Sequence, residues 1–250
     1  MRPDLPIIGI TADYEPQHNE NHPRHFLKAP YVDSVREAGA LVVILPFQFL
    51  EKDPAEDLSQ WDFLDGILIS GSGPDIPPSF YGKEKEIQNN DWMVNERVLF
   101  EQALIKKSEL DNTPCLGICS GLQALNVYRG GSLLQDIPSA KTSFLDHKSP
   151  HTIHLKAQSP IKWLPDGTYQ VNSFHHQGID RLGSGLEVFA KTSDGMVEGV
   201  IDRRHPFLVA VQWHPERLLS GDHLSKVIIS QFVQSCTTRK SLKRIGQSLS

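Results

Sequence analysis

A cysteine lies between two glycines in the segment Leu-Gly-Ile-Cys-Ser-Gly-Leu-Gln, where Gly117, Cys119 and Gly121 are the spaced positions. An apolar run precedes this segment and a helical stretch follows it, which fits the Gly-x-nucleophile-x-Gly turn from a strand into a helix. Glycines suit such a turn because a neighbouring Cβ would clash with its cramped backbone. The positive end of the following helix favours the Cys119 thiolate, and the Ser120 N–H would point at a developing oxyanion. The pattern predicts covalent catalysis by Cys119.

A thiol nucleophile usually works with a histidine, and the segment Gln-Trp-His-Pro-Glu supplies the strongest of eleven candidates. His214 ends an apolar run and Glu216 lies two residues further on, so both side chains share a face in extended geometry. Pro215 stiffens the spacer between them. A carboxylate so placed would fix the imidazole tautomer and stabilise its cation. Taken alone, the pair is also typical of a half-buried histidine beside a surface glutamate.

These two segments together resemble class I glutamine amidotransferase domains, in which Cys, His and Glu form a triad in this chain order. Three further segments resemble one branch of that superfamily, the γ-glutamyl-γ-aminobutyrate hydrolase family, also classed as C26 peptidases. They are Pro-Ile-Ile-Gly-Ile-Thr at 6–11 with Tyr31-Val32 and Ala38-Gly39, Gly-Ser-Gly-Pro-Asp-Ile-Pro-Pro at 71–78 closed by Phe-Tyr-Gly, and Val-Asn-Ser-Phe-His-His-Gln at 171–177. The resemblance covers about residues 6–235, nearly the whole chain.

The resemblance implies a role for each matching residue. Cys119 would be the nucleophile, His214 the general acid and base, and Glu216 the residue that orients His214. Relatives hold the oxyanion and the glutamate end of the substrate at positions that match two further sets here. The oxyanion set is Gly71, Ser72 and Ser120, and the substrate-binding set is Gln123, Ser173, Phe174 and His175. The resemblance implies no metal, nucleotide or redox cofactor.

Two positions depart from the pattern of the hydrolase branch. Members often carry arginine after the cysteine, where this chain has Ser120, and Arg-Asp on the preceding helix, where this chain has Arg97-Val98. Either site could contribute to substrate or acceptor selection. The pocket must also accept the α-carboxylate of a glutamyl group, for which a nest of backbone N–H groups or a cation such as Arg97 is the expected partner.

The remaining histidines and cysteines predict no second centre. His147, His151 and His154 have near-helical spacing, but Pro150 interrupts the segment and no cysteine or acid cluster completes a ligand set, so we expect no metal there. Three cysteines are too few for a disulfide framework, and their odd number indicates free thiols.

Composition excludes several classes of protein. The 250 residues carry 25 basic and 30 acidic side chains, a formal net charge of −5, which argues against binding to a phosphate backbone. No apolar run approaches the length of a membrane helix, and the N-terminus lacks the apolar core of a signal peptide. We therefore expect a cytoplasmic protein with no nucleic-acid or membrane partner; the oligomeric state stays open, a homodimer included.

The order of elements predicts an α/β fold with three layers, an open and mostly parallel sheet covered by helices on both faces. Strands are expected at 6–12, 41–46, 64–69 and 115–118, with helices around 31–38, 91–107 and 120–130. The second half predicts shorter strands in hairpin-like succession, at 152–156, 169–172, 187–192, 196–202 and 207–212, and hence antiparallel members. A last helix begins after Asp222 as N-cap. We expect one domain over 1–250, with a core at about 6–235 and a basic, frayed tail at 237–250.

These features predict a cysteine hydrolase of γ-glutamyl amides in the flavodoxin-like, class I glutamine amidotransferase-like class. One alternative is a glutaminase subunit that supplies ammonia to a separate synthase, although no synthase domain is fused in this sequence. Another is a binding module that keeps the fold without catalysis. The amine half of the substrate and the pathway, polyamine catabolism or the breakdown of another amine, stay open.

Overall fold

The computed structural model describes residues 4–16, 22–47, 58–87, 91–140, 145–155, 163–217 and 223–248. The helices are α1 (Ala29–Glu37), α2 (Asn95–Asp111), α3 (Ser120–Tyr128) and α4 (His223–Ser248). The strands are β1 (Ile7–Thr11), β2 (Asp13–Glu15), β3 (Arg24–Phe26), β4 (Leu41–Leu45), β5 (Gly66–Ile69), β6 (Cys115–Ile118), β7 (Ser132–Leu134), β8 (His151–Leu155), β9 (Gly167–Val171), β10 (Gly178–Arg181), β11 (Glu187–Thr192), β12 (Val197–Ile201) and β13 (Leu208–Val211).

Nine strands form the main sheet, in the order β4-β1-β5-β6-β13-β12-β11-β8-β9. The five strands from β4 to β13 run parallel, and the four that follow are antiparallel. The sequence prediction of a mostly parallel sheet with antiparallel members in the second half is therefore confirmed. Two short pairs, β2 with β3 and β7 with β10, lie outside this sheet.

Successive side chains of the central strands enter two separate apolar cores, one on each face of the sheet. In β5, Leu68 packs into the core beneath α1 and α4, whereas Ile67 and Ile69 pack into the core beneath α2 and α3. Strands buried on both faces read as continuous apolar runs, which is why these four-residue segments were recognisable in the sequence.

The second predicted helix is displaced along the chain. It was expected from Asp91, but α2 begins at Asn95 because the preceding residues pair with the loop after β5 instead. Asp75 N–H donates to the Asp91 carbonyl at 3.0 Å, and Met93 N–H donates to the Asp75 carbonyl at 2.7 Å. The helix ends where Asn112 adopts a left-handed conformation, with φ 56°.

The basic tail is ordered, contrary to the expectation of a frayed end. Helix α4 continues to Ser248, and its basic side chains meet acidic groups from distant segments. Arg239 lies 3.2 Å from Asp111, and Lys240 lies 3.5 Å from Asp65. The expected N-cap of this helix, Asp222, lies outside the described residues.

Within the described ranges, no helix is both long enough and apolar enough to cross a membrane.

Candidate active site

Three neighbouring parallel strands end at one point of the sheet, and each delivers a predicted site residue. Cys119 follows β6 directly, Gly71 lies two residues beyond β5, and His214 lies three residues beyond β13. Ile69 pairs with Gly117 across β5 and β6, and Val211 pairs with Ile118 across β13 and β6, so the three ends are level. Open α/β sheets place their ligands at such carboxyl ends.

Cys119 occupies the strained turn that its flanking glycines predict. Its backbone has φ 55° and ψ −105°, which non-glycine residues seldom adopt, and its N–H donates to the Val211 carbonyl at 2.8 Å. A Cβ at Gly117 would lie 2.7 Å from the Gly121 carbonyl oxygen, and a Cβ at Gly121 would lie 2.3 Å from the Ile69 carbonyl oxygen. Both glycines are therefore needed for backbone segments to approach this closely.

His214 and Glu216 form the hydrogen-bonded pair that their spacing predicts. The His214 Nδ1 atom lies 2.7 Å from Glu216 Oε1, and both residues are buried. Because a carboxylate accepts, Nδ1 carries a proton and Nε2 is free to exchange one. Burial lowers the pKa of His214, but the charges of Cys119 and Glu216 and hydrogen bonds with both outweigh it and raise the pKa to about 9.

The cysteine, the histidine and the glycine loop meet around one small volume. An alanine Cβ at position 71 would lie 3.2 Å from His214 Cε1 and 3.4 Å from Cys119 Cβ. The same point lies 2.8 Å from the hydroxyl oxygen of Tyr31. The absence of a side chain at Gly71 thus leaves this volume open beside the sulfur.

Tyr31 is a site residue whose polar role the sequence pattern did not indicate. Its spacing with Val35 placed it on the buried face of α1, which is correct, but its hydroxyl reaches the loop after β5 and accepts the Gly71 N–H at 2.9 Å. Burial and the nearby negative charge of Glu216 raise the pKa of Tyr31 well above 10, so the hydroxyl stays protonated. The predicted oxyanion donor Gly71 N–H is therefore already engaged, by a group that has a proton of its own to donate.

The other two predicted oxyanion residues differ in their surroundings. Ser120 is the first residue of α3, where helix N–H groups have no acceptor within the helix. Ser72 turns away from the sulfur: its hydroxyl donates to Asp13 at 3.1 Å and accepts from Arg97 at 3.0 Å. No described feature tests the oxyanion assignment, which stays a prediction.

Arg97 is held inside the protein rather than presented to a ligand. Its guanidinium is fully buried, with an ion pair to Asp13 and a hydrogen bond of 2.9 Å to Glu101. Both partners are buried carboxylates, so the positive charge is already balanced. The idea that Arg97 receives a substrate carboxylate therefore finds no geometric support.

Of the predicted substrate-binding residues, two have their polar groups engaged beside the nucleophile and one is exposed. The Gln123 amide donates to the Gln177 carbonyl and to Gln212, each at 3.3 Å, and the Gln212 amide in turn lies 3.6 Å from the Cys119 sulfur. The Ser173 hydroxyl donates to the His147 carbonyl. Phe174 keeps 53% of its surface exposed and packs edge-on against the His214 ring at 5.8 Å.

The fourth predicted substrate residue, His175, points into a buried cluster instead. It lies beside His147, His151 and Glu198, so the inference that no acid completes a ligand set with these histidines is wrong. His154 is exposed on the opposite side of β8. Substrate contact by the four predicted residues stays a prediction.

The next histidine along the chain fixes the loop that carries Gly71. His176 Nε2 lies 3.0 Å from Asp75, and its Nδ1 lies 3.3 Å from Asp136. The hydrogen bond to Asp75 raises the pKa of His176 despite partial burial. The pairing joins the segment at 171–177 to the loop after β5, two segments whose sequences had suggested the same family.

Comparison of folds places the protein in a class first. A crystal structure of a GMP synthase chain from Thermoplasma acidophilum superposes with a TM-score of 0.64 over 96% of this chain and 98% of its own, at 20% sequence identity. The likeness assigns the fold to the class I glutamine amidotransferases. Its low identity carries no information on substrate.

Sequence relatives then identify the family. The family model of peptidase C26 matches residues 6–216. A glutamine amidotransferase-like protein of Lactococcus lactis is 36% identical, covering 83% of this chain and 87% of its own. A γ-glutamyl-γ-aminobutyrate hydrolase of Escherichia coli O157:H7 is 31% identical, covering 92% and 93%. The chain belongs to the peptidase C26 family of glutamine amidotransferase-like hydrolases.

Proposed function

We propose that this protein hydrolyses the γ-glutamyl amide bond of γ-glutamyl-amines, such as γ-glutamyl-γ-aminobutyrate, through a thioester on Cys119. One observation carries the proposal: Cys119, the His214–Glu216 pair and the open volume at Gly71 lie together at the ends of three adjacent strands. The named activity of the E. coli relative adds support for the substrate class.

In the acylation step, the Cys119 thiolate attacks the γ-carbonyl carbon and forms a tetrahedral oxyanion. The N–H groups at the start of α3, beginning with Ser120, face that charge, together with the hydroxyl of Tyr31 or the Gly71 N–H that it now accepts. The His214 imidazolium gives its proton to the amine as the carbon–nitrogen bond breaks. A γ-glutamyl thioester and a free amine result.

In the deacylation step, neutral His214 takes a proton from water as the water oxygen attacks the thioester carbonyl. The carbon–sulfur bond breaks, glutamate leaves, and the thiolate and imidazolium are restored. Glu216 stays ionised throughout and holds Nδ1 of His214, so that Nε2 faces the reacting atoms.

Arg217 is our candidate for the α-carboxylate of the glutamyl group. Its guanidinium stacks on the Phe174 ring at 4.7 Å, its Nε lies 3.6 Å from Glu216, and a third of the side chain is exposed. Phe174 in turn touches the His214 ring, so this cation borders the reaction centre. Planar guanidinium groups recognise carboxylates with two parallel hydrogen bonds.

A substrate panel with the purified chain tests the proposal. We expect turnover of γ-glutamyl-amines without any added protein, and a loss of at least about 10⁴-fold in Cys119→Ala. Cys236→Ala, which removes a buried thiol far along the chain in α4, serves as the matched control with activity retained. Arg217→Gln should raise KM for γ-glutamyl substrates more than it lowers kcat.

The same panel separates the two alternatives. Ammonia release from glutamine alone, with no cleavage of γ-glutamyl-amines, would favour a glutaminase subunit that serves a synthase. Binding of γ-glutamyl-amines without turnover, by a chain whose Cys119 resists alkylation, would favour a binding module.

A further inference from the structure

Four buried side chains converge outside the nucleophile's immediate surroundings, from four separate segments. His147 precedes β8, His151 is the first residue of β8, His175 lies between β9 and β10, and Glu198 lies on β12. None is more than 6% exposed. The proposed hydrolysis uses none of these side chains.

The nitrogen and oxygen atoms of the cluster have the spacing of a coordination shell. From Glu198 Oε1, the distances are 3.8 Å to His147 Nδ1, 3.4 Å to His151 Nε2 and 3.3 Å to His175 Nε2. All four ligand atoms lie within 4.8 Å of one another. Tetrahedral zinc with bonds of about 2.0–2.2 Å places its ligands about 3.3–3.6 Å apart. The cluster needs only small adjustments to reach that geometry.

These same atoms make no hydrogen bond with the described part of the chain. That holds for His147 Nδ1, His151 Nε2, His175 Nε2 and both oxygens of Glu198. Buried polar atoms are nearly always satisfied, and a buried carboxylate above all needs a cation or donors. Four orphaned groups that face one another indicate a shared partner between them.

The neighbours of the cluster set the tautomers that a cation requires. His175 Nδ1 lies 2.8 Å from the Gln177 carbonyl, which only accepts, so Nδ1 carries the proton and Nε2 presents a lone pair. His147 Nε2 lies 3.1 Å from the Asp194 carboxylate, so its lone pair lies on Nδ1. Both lone pairs thus face Glu198, and carboxylate or carbonyl partners behind the ligands are typical of metal sites.

Ligand type and charge select the ion. Three imidazoles and one carboxylate suit zinc, whereas calcium and magnesium prefer six or more oxygen ligands. A divalent ion would balance the charges of Glu198 and Asp194, which are both buried. With four protein ligands and no exposed position, such a site would be structural and would not bind substrate.

We propose that His147, His151, His175 and Glu198 bind one structural Zn²⁺ ion. The site would position the active site through its backbone. His175 follows Phe174 directly, and the Gln177 carbonyl that holds His175 also accepts the Gln123 amide beneath the nucleophile. The backbone N–H of Gln212, whose side chain reaches the Cys119 sulfur, donates to the Glu198 carbonyl at 2.8 Å.

The test uses the full chain purified without a histidine tag. We expect metal analysis to find one zinc per chain, removable by a strong chelator and restored by added Zn²⁺. Restored zinc should raise the unfolding midpoint by about 5 °C or more when free zinc exceeds the dissociation constant a hundredfold. Co²⁺ added to the apoprotein should give the intense visible bands of tetrahedral coordination.

Variants locate the site and protect the test against misfolding. Glu198→Gln and His175→Gln should lose the zinc and its thermal effect, whereas His154→Gln, on the exposed side of β8, should keep both. Wild-type apoprotein with a native circular dichroism spectrum that takes up no Zn²⁺ or Co²⁺ would overturn the proposal, and so would Glu198→Gln with undiminished affinity. Cys119→Ala should abolish hydrolysis but keep one zinc per chain, which separates this inference from the proposed activity.

Discussion

Asn172 clamps the backbone of His214 from both sides. Its Nδ2 donates to the His214 carbonyl at 2.8 Å, and its Oδ1 accepts the His214 N–H at 2.8 Å. Asn172 begins the segment that continues through Phe174 and His175, so the imidazole, the exposed aromatic ring and the buried histidine cluster are held by one short stretch of backbone. A shift of that stretch would move all of them together.

The pH dependence of hydrolysis should follow the proton on His214. Its pKa is raised to about 9, so the imidazole keeps its proton at lower pH and loses it above that value. Because the departing amine needs that proton, kcat/KM should fall as the pH rises past about 9. Glu216→Gln removes one cause of the raised pKa and should move the fall to lower pH. A wild-type profile that falls near pH 6.5 would contradict this assignment.

Alkylation should discriminate between the three buried thiols. Burial raises the pKa of Cys115 to about 12 and that of Cys236 well above 9, so both stay protonated and unreactive near neutral pH. Cys119 lies beside the His214 imidazolium, which favours a reactive thiolate. Iodoacetamide followed by peptide mass spectrometry should modify Cys119 about 100-fold faster than the others, and all three in urea. Equal slow labelling in the folded protein would count against a nucleophile at 119.

Tyr31→Phe tests whether the tyrosine hydroxyl belongs to the oxyanion site. The change leaves the Gly71 N–H without its acceptor and removes a donor beside the sulfur. We expect kcat to fall by about 100-fold, the usual loss for one oxyanion donor, with KM little changed. Tyr169→Phe is the control, because its hydroxyl bonds the Pro165 carbonyl at an exposed position. Equal kcat values for both variants would remove Tyr31 from the mechanism.

The close approach at the nucleophile turn predicts a strong effect of one methyl group. Gly121→Ala would bring a Cβ to 2.3 Å from the Ile69 carbonyl oxygen, so the turn or β5 must shift. Urea unfolding should show a loss of about 2 kcal/mol or more in the free energy of unfolding. Gly73→Ala meets open space and should change it by less than about 0.5 kcal/mol. Similar values for the two variants would show that the turn relaxes freely.

The sequence reveals the parts of the site that are local. Gly117, Cys119 and Gly121 lie within one turn, and His214 and Glu216 within three residues, so spacing alone predicts their geometry. The apolar runs of the central strands were predictable for the same reason, because strands buried on both faces need apolar residues at every position.

The parts assembled over long separations were not predictable. Glu198 lies 51 positions from His147 in the numbering, and only the pairing of β8, β11 and β12 brings them together. The spacing of His147, His151 and His154 suggested a helical face, whereas the chain enters a strand at His151 and turns His154 outward. Tyr31 carried the signal of a core residue, and its hydroxyl contact depends on a loop 40 residues away.

The ordered basic end of α4 has a consequence for the opposite end of the chain. Asp65 is buried and accepts the N–H of Ile7 at 2.9 Å, so a carboxylate stabilises the start of β1, and Lys240 and Lys243 are its nearest cations. Arg244 pairs with Asp4 on the same side. Removing the chain beyond Cys236 would strip Asp65 of its counterions and weaken the first strand, which lies beside the strand that carries Gly71.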